Sequence, residues 1–106
     1  MTESKIKKLV KDSLEKEKYL VWYPPVSRFA PKFKYCDEQH SAKDIFTLFD
    51  CLALKDSEVR YIQYTSKSNI RAREKKIKAF YEKWKVFIPC EVWGVDDNKN
   101  ITIIYI

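Results

Sequence analysis

Histidine occurs once in this sequence and cysteine three times, and neither type forms a local cluster. A lone His40 makes a histidine-based zinc site or a Ser-His-Asp triad unexpected, leaving it at most a local acid or base. Cys36, Cys51 and Cys90 are odd in number and widely spaced, so they supply neither a disulfide framework nor a CxxC metal clip. They read as small, partly buried thiols. Long apolar runs are also missing. The stretches "YLVWYPPV" and "ITIIYI" fall far short of the roughly 20 residues a membrane span requires, and the lysine-rich start has no signal-peptide apolar segment. These absences point to a soluble intracellular protein with no membrane partner.

What is present is sufficient for one domain, residues 1–106, with a modest core: 106 residues, 45% hydrophobic and 15% aromatic. The net charge of +6 is concentrated. Residues 67–85, "KSNIRAREKKIKAFYEKWK", hold eight Lys or Arg against two Glu, and the rest of the chain is balanced. Such a segment is either the electrostatic footprint of a phosphate-backbone partner or a solvated lysine-rich helix face.

Hydrophobic spacing gives the element order. "TESKIKKLVKDSLEKEKY" predicts a helix capped by Thr2 or Ser4 and ending near Lys18, with Ile6, Leu9, Val10 and Leu14 on its apolar stripe. "YLVWY" predicts a strand over residues 19–23, stopped by Pro24 and Pro25. Residues 27–43 show no period and read as a long loop or arm. Arg28, Lys32 and Lys34 interleave there with Phe29, Phe33 and Tyr35, in the manner of a nucleic-acid-gripping arm or of a dimer-contact loop.

"IFTLFDCLAL" and "EVRYIQYTS" predict a hairpin turning over Lys55 to Ser57, and their near-continuous apolar character predicts strands covered on both faces. Ser68 or Asn69 can cap a second helix reaching about Lys85, with Ile70, Ile77, Phe80 and Trp84 inward and Arg71, Lys75, Lys78 and Glu82 outward. "FIPCEVWGV" and "ITIIYI" close the chain as two strands around "DDNKN". Glu58 and Glu91 read as solvent-facing, and Trp22, Tyr23, Phe29 and Phe33 as core aromatics or base-stacking ones. The fold class is α/β, a mixed central sheet flanked by helices in the order α-β-β-β-α-β-β.

Two polar residues stand out within the middle strands. A carboxylate at Asp50, among Phe49, Cys51 and Leu52, is costly unless paired, neutralised, exposed at an edge or bound to a metal. Gln63 sits thirteen residues later, a separation that suits neighbours across a hairpin.

This element order, with Asp50 in "FDCLAL" and Gln63 in "IQYTS", resembles the PD-(D/E)XK nuclease superfamily, the restriction-endonuclease-like fold shared with archaeal Holliday-junction resolvases. The resemblance implies an Asp at the second strand, an E-x-K or Q-x-K on the third and a Glu on the first helix around Mg (or Mn). Here the matches are Asp50, Gln63 and Glu3, and Asp44 is either a further metal carboxylate or a cap at the start of the strand. Magnesium takes hard oxygen ligands and keeps several waters, so such a set suffices. The resemblance further implies hydrolysis of DNA phosphodiesters and a homodimer.

The sequence departs from the pattern where lysine is expected, two residues after Gln63, because Thr65 stands there. Lys67 can supply the ammonium only if the strand stays extended, which would return it to the face of Gln63. Arg71, Arg73, Lys75 and Lys78, with Arg28 from the arm, would then hold the DNA backbone beside the free N–H groups of the second helix. The expectation is a Mg-dependent endonuclease. Its alternatives are a catalytically degenerate DNA-binding module of the same fold and a protein-interaction subunit.

Overall fold

A computed structural model describes residues 2–24 and 48–106 of the chain. The first helix, α1 (Glu3–Lys16), begins where Thr2 accepts a hydrogen bond from the backbone N–H of Lys5 at 3.4 Å, with Glu3 in the positive first turn. Ile6, Val10 and Leu14 are buried with Leu9 beside them, the stripe that the sequence spacing predicts. Each of the three contributes up to about 1.5–3 kcal/mol of apolar burial. The helix stops two residues before the expected end, and Lys18 turns the chain through a left-handed conformation at φ 72.

Five strands follow in the spatial order of the chain: β1 (Leu20–Trp22), β2 (Cys51–Lys55), β3 (Glu58–Ser66), β4 (Cys90–Val95) and β5 (Ile101–Tyr105). The β1–β2, β2–β3 and β4–β5 pairs are antiparallel, whereas β3 and β4 run parallel. That one parallel pair needs a crossover, which a single 3-10 turn (Lys67–Asn69) and the second helix, α2 (Ile70–Trp84), provide. The α/β class, the mixed sheet and the element order agree with the sequence reading.

Alternation along the strands sorts side chains between the two helices. Cys51, Ala53, Ile62, Tyr64, Trp93 and Val95 form one buried cluster with α1. Leu48, Phe49, Cys90 and Val92 form the other with Ile70 and Ile77 of α2. Gly94 lies opposite Thr65 in the parallel register. A Cβ there would collide with the Ile70 side chain and come within 3.0 Å of the Lys67 Cα, so glycine permits the crossover to pass this close.

Several local expectations change. β2 begins only at Cys51, so Asp50 sits in a bend before the strand rather than inside it. Neither Ser68 nor Asn69 caps α2 through its side chain; the 3-10 turn leads into the helix instead. Trp84 was expected inward but is 39% exposed at the helix end, where Phe80 stacks against it at 6.2 Å. Residues 27–43, expected as a long loop and including Arg28, Phe29, Phe33, Cys36 and His40, lie outside the described residues, as does Asp44.

Glu91 is the largest difference. Instead of facing solvent, it is buried on the α1 side of β4 and receives Arg60 Nε at 2.7 Å, Arg60 Nη2 at 2.5 Å and Trp93 Nε1 at 3.0 Å. The guanidinium also lies 5.0 Å from the Tyr19 ring and 5.6 Å from that of Trp93. The hydrogen bonds to Glu91 hold Arg60 above its ordinary pKa range, so the guanidinium stays charged. Removing one member would strand the other charge in an apolar layer. Glu91→Ala is therefore expected to lower unfolding free energy in urea by about 3–5 kcal/mol, and Arg60→Met with Glu91→Leu to recover most of it. A single-variant loss below about 1 kcal/mol would show that the pair is dispensable.

Candidate functional site

The β2–β3 register begins at the pair of Cys51 with Ile62, and Asp50 lies in the bend just before it. Asp50 donates its backbone N–H to the Ile62 carbonyl at 2.8 Å. Its side-chain Oδ2 accepts the backbone N–H of Tyr64, also at 2.8 Å. The carboxylate therefore serves as a ladder acceptor at the point where the chain before β2 has bent away from β3. This answers part of the cost of an acid among Phe49, Cys51 and Leu52, since a charged acceptor on a backbone N–H is worth more than a neutral one.

The Asp50 charge extends onto the α1 side. Burial, and after it Asp50, pushes the Cys51 thiol up to about 12. The same two causes, in that order, raise the Tyr64 phenol, and Glu3 adds a smaller push. Tyr23 is raised chiefly by its own burial. At neutral pH all three are uncharged, and Cys51 is a packing residue rather than a nucleophile. Cys51 and Cys90 are both buried and free, as expected for structural thiols.

Gln63 alternates with Tyr64, so it lies on the opposite face, in the layer that α2 covers. It is 2% exposed, and its amide Oε1 has no hydrogen-bond partner among the described residues. Thr65, on the same face, is also buried. Asp50 and Gln63 are not brought together: the Asp50 charge acts on Tyr23, Cys51 and Tyr64 of the α1 layer, where Glu3 also acts on Tyr64, whereas Gln63 is buried in the α2 layer. Among the described residues no three His, Cys, Asp or Glu side chains are grouped to hold a metal ion. As a test of fit, the expected oxygen ligands Asp50, Gln63 and Glu3 are divided between the two faces of the sheet and do not fit one magnesium ion.

The ammonium expected from Lys67 is not delivered to this face either. β3 ends at Ser66 and Lys67 opens the 3-10 turn, so the extended continuation that would carry it back to Gln63 does not form. Lys67 is exposed and its charge contributes to holding the Asp96 carboxyl low, after the backbone hydrogen bonds from Asn100 and Asn98. Those bonds, at 2.9 Å each, tie the turn between β4 and β5.

The cationic residues of α2 divide. Arg71, Lys75 and Lys78 are exposed and, with Ala72 and Glu74, line a shallow groove on the outer face. Arg73 is half-buried and off that stripe. Lys78 is bonded to Glu74 at 3.3 Å, an exposed helix pair of small energetic weight. No family model matches the sequence, and comparison with curated proteins and with solved structures gives no significant match. No helix among the described residues is long and apolar enough to cross a membrane.

The site residue that sequence reasoning missed is Glu91. A signal was present, because Arg60 and Glu91 are opposite charges in two segments that both read as strands. For Asp50, the Asp50→Ala variant is expected to lose about 1.5–3 kcal/mol of stability in urea unfolding, and Asp50→Asn distinctly less, since an amide oxygen can still accept the Tyr64 N–H. Hydrogen exchange at the Tyr64 amide reads the same bond directly. Equal stability of Asp50→Ala and the parent would refute the ladder role.

Proposed function

We propose that this chain is a DNA-binding domain of the restriction-endonuclease-like kind whose metal centre is degenerate. The topology supports the fold part of the reading: an antiparallel β1–β2–β3 meander, a helical crossover into parallel β4, and one helix on each face. The observation that carries the function is the outward stripe Arg71, Lys75 and Lys78. It is exposed along a rigid helix whose opposite side is fixed in the core by Ile70 and Ile77. Cations held on a rigid scaffold can follow a phosphate backbone without paying for ordering. Thr65 in place of lysine, and Lys67 directed into the turn, support the loss of catalysis.

A second reading, Mg-dependent (or Mn-dependent) DNA hydrolysis, is favoured only by the orphaned Gln63 oxygen. The Asp50 carboxylate acts in the α1 layer and does not share the Gln63 face, so the two expected ligands do not form one site.

Both readings meet one experiment. Anisotropy titrations with duplex, branched and single-stranded DNA at low salt are expected to show binding that weakens as salt rises. Replacing Arg71, Lys75 and Lys78 together by Ala is expected to reduce affinity at least tenfold and to flatten the slope of log K against log salt by about 2 to 3, one increment per lost phosphate contact. Unchanged affinity in the triple variant would reduce the stripe to a solvated face. Absence of binding at low salt would favour an acidic protein partner. Cleavage with magnesium that disappears in the stably folded Asp50→Asn variant would establish the second reading over the first.

A further inference from the structure

The two edges of the sheet are built differently. β1 is three residues long and is followed in the sequence by Pro24 and Pro25, so it offers little backbone for another strand to pair with. β5, at the other edge, has no such protection: "ITIIYI" holds no proline, no glycine and no charge. The β4–β5 register decides which of its backbone groups are free. Cys90 and Ile106 exchange both N–H···O=C bonds, at 3.4 and 2.9 Å. In an antiparallel ladder the next bonded pairs are then Val92 with Ile104 and Gly94 with Thr102, while Ile101, Ile103 and Tyr105 belong to the alternate, unbonded pairs. Their N–H and C=O groups point away from β4, and among the described residues no strand lies beyond β5. The side chains carry both cores out to this edge. Ile101 and Ile103 pack against the α1 cluster, Ile104 and Ile106 against the α2 cluster, and all four are half-buried.

We infer that the β5 edge binds an extended segment of a partner protein as a further antiparallel strand. The outward groups of Ile101, Ile103 and Tyr105 form one half of a ladder, and their complement is another extended backbone. The two cores define the side chains of that segment. Both of its faces would meet isoleucines, so it is apolar at successive positions and rich in β-branched residues rather than alternating with polar ones. Its flanks are acidic, since this chain carries +6 and Lys99 stands exposed just ahead of β5. The same net charge sets a second copy of this chain against the first. Residues 25–47 begin after β1 and end ahead of β2, on the side of the sheet away from β5. Neither the register nor the free groups depend on α2 binding DNA.

The probe is a labelled peptide of about six Val, Ile and Thr residues flanked by Asp, the length of an ordinary strand. Anisotropy with the full chain is expected to show saturable binding, weakened at least about tenfold when proline, which cannot donate to a ladder, replaces the central residue of the peptide. Amide exchange in the complex is expected to slow at least about tenfold at Ile101, Ile103 and Tyr105. It should stay as it was at Thr102 and Ile104, whose N–H groups already bond to β4. Tyr105→Pro removes an outward donor and a ring that is 71% exposed while sparing the ladder to β4. It is expected to weaken the probe with circular dichroism unchanged, whereas Leu20→Glu, at the other edge and 66% exposed, leaves binding intact. No binding by the parent would overturn the inference, as would equal binding of the proline-interrupted peptide, protection that ignores the alternation, or equal loss in Leu20→Glu. So would a parent that sediments as a dimer and becomes monomeric in Tyr105→Pro, because a second copy would then fill the edge.

Discussion

Parallel pairing of β3 with β4 is the constraint on which both faces depend. β3 reaches β4 through the turn at residues 67–69 and the fifteen-residue α2, and the return fixes which side of the sheet that helix must cover. Six registered pairs, from Tyr61 with Cys90 to Ser66 with Val95, then set every side chain on β4. A slip of one residue would send Trp93 and Val95 towards α2 and Val92 towards α1, exchanging the two cores. The bidentate bond between Arg60 and Glu91 resists such a slip, since it is satisfied only when both side chains lie on the α1 face. A buried ion pair is weak as a source of net stability, yet it penalises the wrong pairing heavily.

The same constraint explains what was legible in the sequence. The α1 stripe could be read because its signal is local: Ile6, Val10 and Leu14 repeat at helical spacing. The order of elements could be read for the same reason. Glu91 could not be read from its neighbours, because the partner that justifies it is thirty-one residues away in β3. Trp84 fitted the inward face by angle, but it is the last residue of α2 and is 39% exposed. The continuous apolar character of "CLAL" and "EVRYI" predicts two covered faces. It is true of Ile62 and Cys51 and fails for Val59, Leu52 and Leu54, where no described helix lies above them.

Asp50 shows why a motif residue is hard to weigh from sequence alone. An aspartate at the start of a second strand fits a metal ligand, and it equally fits an acceptor for a backbone N–H that the bending chain has left behind. The Tyr64 N–H takes up one of its oxygens. That does not remove the residue from metal chemistry, because a carboxylate has several lone-pair sites. It does mean that loss of activity on deleting Asp50 would conflate folding with function, whereas the amide at this position separates them.

Gln63 poses the sharper physical question. A buried amide oxygen without a partner costs about 1–3 kcal/mol relative to a satisfied one, and valine or isoleucine would fill a central strand at no such cost. Arg60 and Glu91, the partly buried charges of these two strands, satisfy each other. Gln63 does not share in that network, since alternation puts it on the far side of the sheet, beside buried Thr65. Buried polar groups on an otherwise apolar face need a donor to meet them, and the Gln63 oxygen marks the point on this face where a hydrogen-bond donor would be stabilised.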